Sequence, residues 1–445
     1  MAIKFTPGQQ SVYDALMAGK NVFITGGAGT GKTTVIRQFI QDVDPECKRT
    51  LLAASTGKAA LNLRIDTKNG PVYGSTVHKL FGIKAEIAPD YKGTPPKILR
   101  FADRIIIDEI SMWGLGVFDC VAEALQDEQS DFTRDKPLQI ILVGDFYQLP
   151  PVVKTTITEG ASDKEILDYV YGCDVGKAYC FQSYAWDFLD IETHELTDIM
   201  RQKDDKAFCD ALNQIRAGDV TGINYINQFS DHSPFKPDKI TLCGTNKNAD
   251  RINGYMLNKN PNPKYVFEWD IETNQKYIDG YLKNAPCVER LTLCEGARVI
   301  CIANNEAAVN GQIGTVIKIG SDNVTVKWDS GETNKVLEYK WEITRQEIVK
   351  DKETGRTSIQ SKTILTISQL PLKLAYAITI HKAQGETLES VNVYVDTFET
   401  GHLYTALSRC PSVKNIRLKR PLKPSDVLCD NAINKWYEEQ RRNFK

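Results

Sequence analysis

The sequence predicts an α/β fold: two parallel-sheet domains, a short insert in the first, and a small antiparallel β-barrel inserted in the second. Three observations carry this expectation. Apolar runs end in phosphate- or carboxylate-type motifs, as Asn21–Thr25 does before GGAGTGKTT and Gln139–Val143 before GDFYQLPPV. Two further motifs, TIHKAQGET at Thr379–Thr387 and YTALSRC at Tyr404–Cys410, return far down the chain. Between these groups, residues 291–369 change to short strands with alternating polarity and turn signals.

The first element in order is a P-loop. NVFIT reads as a buried strand, Gly26–Thr33 fits G-x-x-x-x-G-K-[ST], and Thr34–Ile40 carries apolar residues at helical spacing. Strand, glycine loop and helix in that succession are what the motif needs. Glycines let backbone N–H groups turn inward on phosphates, and the helix N-terminus adds its positive end. Lys32 then reaches the β- and γ-phosphates and Thr33 ligates Mg²⁺. Gly27, Ala28, Gly29, Thr30, Gly31 and Thr34 complete the cradle for ATP.

The next strand, Arg104–Ile107, is apolar and ends in Asp108-Glu109. Carboxylates at the C-terminal edge of a parallel strand lie where ligands bind in open α/β sheets. Asp108 suits the Mg²⁺ shell and Glu109 suits polarisation of the attacking water, an arrangement for hydrolysis rather than storage. A third strand, Gln139–Val143, leads to Gly144-Asp145, with Gln148 placed to read the γ-phosphate. An ATP site completed by motifs so distant in the chain is the pattern of a motor that moves when the nucleotide changes.

Composition sets the bounds. At 445 residues the chain exceeds one ordinary core, so two to four domains are expected. Hydrophobic content of 42% and charged content of 25% are those of a soluble protein. Met1–Gln10 is too polar for a signal peptide and Asn21–Thr25 too short to span a membrane, so a cytoplasmic protein with no membrane partner is expected. Eleven cysteines with no C-x-x-C pair suggest reduced thiols. Cys287, Cys294 and Cys301 recur every seven residues without neighbouring histidines, and no metal site is expected there. A net charge of −2 counts mildly against a broad nucleic-acid-binding face. A narrow groove that grips a single strand needs only local charge and stacking surface.

The ordered motifs resemble those of superfamily-1 helicases, specifically the Pif family and its RecD-like and Dda-like relatives. The likeness runs from Phe5 to about Arg417 and includes FTPGQ at Phe5–Gln9, AASTGKAA at Ala53–Ala60, GSTVHKLFG at Gly74–Gly82 and LTDIMRQ at Leu196–Gln202. It implies that Gln9 reads adenine, that Gly385 approaches the γ-phosphate by its backbone, and that Arg201 and Arg409 neutralise transition-state charge. It also implies strand contacts by Thr56, Lys58, Thr76 and His78 in the first half and by Thr379, His381 and Lys382 in the second. For His78 and His381 this favours strand contact over proton transfer.

The same resemblance organises the chain. Residues 1–180 form a first RecA-like motor domain, with a proline-rich wedge insert at about 83–101. Residues 181–290 and 370–445 form a second RecA-like domain, and residues 291–369 a Src-homology-like β-barrel with a long hairpin around Asp351–Gly355. Ser162–Gly176 reads as an insert or long connection. Aromatics on short strands usually fill a core, so Trp328, Trp341 and Tyr339 are expected there rather than stacked on bases.

The reading is an ATP-dependent DNA helicase moving 5′ to 3′, acting as a monomer on single-stranded DNA, 5′-tailed duplexes and forks, with G-quadruplexes and R-loops as further substrates. A motor on RNA, or one that displaces proteins, shares most of these motifs. A regulatory P-loop ATPase without nucleic acid explains Gly26–Thr34 and Asp108-Glu109, but not Gly74–Gly82, Gln148 or the two distal motifs.

Overall fold

The computed structural model describes residues 4–56, 59–60, 63–83, 88–89, 91, 93–130, 136–153, 162–199, 205–233, 235, 239–273, 282, 285–308, 310–350 and 357–443, the side chains of 343–350, 357–364 and 443 excepted. Met1–Phe235 with Ala383–Lys445 form one compact unit, and Lys236–Lys382 form a second.

The first unit is built on a six-stranded sheet. Its order is Ser75–Thr76, Thr50–Ala54, Arg104–Asp108, Gln139–Val143, Val22–Gly26 and Glu192–Leu196. All neighbours pair in parallel. Helices cover a parallel sheet, so its central strands read as unbroken apolar runs. Val22–Gly26 and Gln139–Val143 are buried at every position. Helix Lys32–Val43 turns Val35, Ile36, Phe39 and Ile40 onto a core shared with Ile24, Ile106 and Ile141. Full burial of each such side chain stabilises by roughly 1.5–3 kcal/mol. Helix Pro7–Met17 starts at a Thr6–Gln9 capping box with Pro7 in the first turn.

Two sequence expectations are corrected in this unit and a third is refined. The boundary at residue 180 falls short, because Glu192–Leu196 extends the first sheet alongside Val22–Gly26. Its burial pattern exposes or half-exposes three of five positions, so this edge strand lacks an apolar run to announce it. Helix Asn431–Asn443, expected in a second motor domain, brings Trp436 within 5.9 Å of Phe23 and 5.2 Å of Phe146, ring centre to ring centre. The Thr25 and Tyr437 hydroxyls share a hydrogen bond of 2.6 Å. Within Ser162–Gly176, residues Asp163–Tyr171 form a helix, opened by a Ser162–Glu165 capping box.

The second unit contains a parallel pair, Thr241–Cys243 with Ala377–Thr379, and helix Asn246–Lys259 capped by Thr245. The barrel region forms a five-stranded antiparallel sheet in the order Thr333–Leu337, Asn323–Trp328, Ile313–Ile319, Arg298–Cys301, Leu372–Leu374. The long hairpin pairs Tyr339–Lys350 with Thr357–Gln369, and Asp270–Thr273 adds a third strand. The turn at Asp351–Gly355 lies outside the described residues. Trp328 is buried in the sheet's core, and Trp341 packs beside Leu365 and Ile367.

None of the eleven cysteines is paired in a disulfide. Among the described residues, no helix is long and apolar enough to cross a membrane.

Candidate active site

Strand Val22–Gly26 feeds the loop that opens helix Lys32–Val43, and local sterics explain its glycines. At Gly26 (φ +143°) a Cβ would lie 2.3 Å from the Leu196 carbonyl oxygen. At Gly31 (φ +84°), the N-cap of the helix, it would lie 2.5 Å from Gln9 Nε2. Both positions demand a residue without a side chain. Gln9 is buried, donates from Nε2 to the Thr30 carbonyl at 3.1 Å, and accepts from Thr6 N–H at 3.1 Å. It braces the loop from behind.

A cavity of about 370 Å³ lies over this loop. Ala28, Gly29, Thr30, Gly31, Lys32, Thr33 and Thr34 line one wall, and Asp108, Glu109 and Gln148 another. Gly385 and Arg409, which belong to the same compact unit as the P-loop, close it. Gly27 lies at a neighbouring cavity that also touches Thr30 and Arg216. Arg201 lies outside the described residues.

Electrostatics inside the cavity are tense. Lys32 donates to the Gly26 and Gly27 carbonyls at 2.8 and 3.1 Å. Burial pushes its ammonium pKa down, against the pull of Asp145, Glu109 and Asp108. The Asp108 carboxyl is held above the ordinary range by burial and then by the adjacent Glu109, although it accepts the Glu109 N–H at 2.8 Å. Glu109 itself sits at φ +55°, a left-handed conformation rare outside glycine. That backbone angle keeps two adjacent carboxylates in one cavity, where an extended strand would point them to opposite faces.

Arg409 is 2% exposed. It donates from Nε to the Thr405 carbonyl at 2.9 Å, from Nη1 to the Glu386 carbonyl at 3.2 Å and from Nη2 to Ser408 Oγ at 3.0 Å. Burial lowers its pKa, with Glu109 acting in the opposite sense.

Four residues acquire positions that motif reading did not assign. The Tyr404 hydroxyl accepts the Ala28 N–H at 2.8 Å and donates to Asp145 Oδ2 at 3.1 Å. Asp145 is fully buried and pairs with Arg216 at 2.9 Å. Arg216 also donates to Glu195 at 3.2 Å and lies 4.4 Å from the Tyr147 ring centre. Gln384 donates to Glu109 Oε2 at 2.9 Å. Tyr404, Asp145 and Gln384 stand inside quoted motifs, and Arg216 stands on helix Lys206–Arg216, so their identity was visible while their partners were not.

The expected strand-contact residues divide between the units. In the first, Thr56 Oγ1 accepts the Ala59 N–H at 3.1 Å, and Thr76 caps helix Val77–Phe81, on which His78 is half-buried. Lys58 lies outside the described residues. In the second, Thr379 ends a buried strand, and His381 and Lys382 follow on the turn Ile380–Ala383. Thr379 and Lys382 line a cavity of about 310 Å³ together with Lys373 and Arg290. Burial of its stem and then the Lys373 charge push the Lys382 pKa down, against Asp250.

A phosphate-binding loop at the C-terminal edge of a parallel sheet, faced by two carboxylates and a buried arginine, defines a P-loop nucleoside triphosphate hydrolase. The family model described as PIF1-like helicase matches residues 4–225. The ATP-dependent DNA helicase Pif1 of Bdellovibrio bacteriovorus is 32% identical, with 98% of this chain and 92% of that protein covered. A crystal structure of the Bacteroides Pif1 helicase in complex with ADP-AlF3 and ssDNA superposes with a TM-score of 0.78 at 28% identity, covering 99% of this chain and 98% of that one. A second structure, of DNA unwinding at forked dsDNA by two coordinating Pif1 helicases, gives a TM-score of 0.76 at 27% identity over 99% of this chain and 98% of that one. The chain belongs to the Pif1 helicase family.

Proposed function

We propose that the chain is an ATP-dependent DNA helicase that moves 5′ to 3′ along single-stranded DNA and opens 5′-tailed duplexes and forks. One observation carries the coupling of chemistry to motion. The segment from Gln384 to Arg409 reaches the P-loop cavity at Glu109 through Gln384 and at Ala28 through Tyr404. A nucleotide that enters this cavity must rearrange those contacts, and the segment begins immediately after Thr379–Lys382, the expected strand grip.

For hydrolysis, Lys32 and the loop N–H groups hold the β- and γ-phosphates, with Gln148 at the γ-phosphate. Glu109 orients a water and takes its proton as the water oxygen bonds to γ-phosphorus. The bond from that phosphorus to the β,γ-bridging oxygen breaks, and the electron pair leaves with ADP. Arg409 offsets the charge that develops. Thr33 and Asp108 offer the hydroxyl and carboxylate oxygens that Mg²⁺ takes, both on the cavity wall. When bound, the ion neutralises phosphate charge.

Polarity rests on insert size. Residues 83–101 and the antiparallel sheet of the second unit leave no room for the large helical inserts of helicases that run 3′ to 5′. G-quadruplexes and R-loops are substrates of the same strand-tracking activity. A monomer is the proposed stepping unit, and cysteines without disulfides fit a reducing cytoplasm.

Strand displacement on duplexes with either a 5′ or a 3′ single-stranded tail tests this directly. Unwinding should be confined to the 5′-tailed substrate and vanish in Lys32→Ala. Efficient unwinding from a 3′ tail alone would overturn the polarity.

A further inference from the structure

The segment that follows the distal motif's turn places Gly385 on the nucleotide cavity and ties the residues on either side of it to two groups of the cavity's lining. Gln384 touches Glu109, Gly385 (φ +79°) lines the cavity, and the Glu386 carbonyl accepts from Arg409. Gln384 is 6% exposed. Its amide nitrogen is spent on Glu109 Oε2 at 2.9 Å, while its amide oxygen is buried with no hydrogen-bond partner among the described residues. A buried amide oxygen left without a donor is destabilising, so such a group calls for a functional partner. The geometry pairs one neighbour that needs a proton acceptor's rotamer fixed with one vacant acceptor beside it. An attacking water has two hydrogens to place, one on the base and one elsewhere.

We propose that Gln384 is a positioning residue for hydrolysis: its amide N–H fixes the Glu109 carboxylate, and its amide oxygen accepts the second hydrogen of the attacking water. This rests on the reading of Glu109 as the base. The Arg409 bond to the Glu386 carbonyl then gives the arrangement a further property. Gln384 and Arg409 are tied to one short segment, so water alignment and charge neutralisation arrive together when that segment is seated. Hydrolysis is withheld when it is not.

The test uses the full chain and DNA-stimulated ATP turnover. Gln384→Met keeps the length and bulk but neither donates nor accepts strongly. It should lower kcat by about 10- to 100-fold, the size expected for an outer partner of a catalytic group, with KM for ATP within about threefold. Gln384→Glu keeps the shape and the acceptor but loses the donor and adds like charge, so it should fall at least as far. The decisive measurement is the cycle with Glu109→Gln. If Gln384 acts through Glu109 and its water, Glu109→Gln with Gln384→Met turns over no more slowly than Glu109→Gln alone. Multiplying losses, or Gln384→Met within twofold of the parent kcat, would overturn the inference. A Glu109→Gln variant with parental turnover would instead sink the underlying assignment of the base.

Discussion

Asp108 is caught between its proposed Mg²⁺-binding role and folding. Ligating a cation needs its carboxylate ionised, yet burial and the Glu109 charge hold its pKa above the ordinary value of about 3.9. The folded chain therefore keeps a proton there that the unfolded chain releases. This group's contribution to stability is fully present at low pH and is lost as pH climbs from about 4 through the raised folded value. Asp108→Asn cannot ionise, so in nucleotide-free buffer it should melt above the parent at pH 8, with the gap shrinking at pH 5. The same gap at both pH values would mean the carboxylate is comfortable where it sits. At this scale the sequence was legible wherever a motif fixes a residue against its own neighbours, as from Gly26 to Thr34. It was silent on Gln384 and Tyr404, because their roles come from Glu109 and Ala28, hundreds of positions away in the chain.

Among elements, helix Asn431–Asn443 has the most to lose by substitution. Trp436 stacks on Phe181 at 4.9 Å and meets Phe146, Trp186 and Tyr437 edge-on at 5.0–5.7 Å. Trp436→Ala should lower the unfolding free energy by about 3–5 kcal/mol, the usual cost of deleting a buried tryptophan. The urea transition reported by tryptophan fluorescence would measure it, and a change below about 1 kcal/mol would show that the cluster closes without it. The elements themselves were readable where periodicity is strong: the short strands expected within residues 291–369 are observed as Arg298–Cys301, Ile313–Ile319 and Asn323–Trp328. Helix Asp163–Tyr171 was passed over despite the S-x-x-E cap at Ser162 because its surroundings look like a connection. Glu192–Leu196 was misassigned because an edge strand with polar faces has no pattern to detect.

For the molecule as a whole, charge decides how DNA is held. With a net charge of −2, the proposed grip on DNA rests on a few local groups, such as the Lys373, Lys382 and Arg290 that line one cavity with Thr379, rather than on a basic face. The slope of log affinity for single-stranded DNA against log salt should correspond to roughly two to five phosphates at about 0.7 per phosphate. A slope implying ten or more would reveal a basic surface not yet accounted for. Global assembly was the least legible level, since nothing in the order of motifs says that the last helix closes the first sheet. That closure has a consequence in time. Tyr437, which bonds Thr25, leaves the ribosome 412 positions after it. At about 5–20 residues per second, the sheet waits roughly 20 to 80 seconds for its lid. Until Trp436 emerges, the side of Phe23 and Phe146 that it covers stands open, so the six-stranded sheet is closed only after the whole second unit has been made.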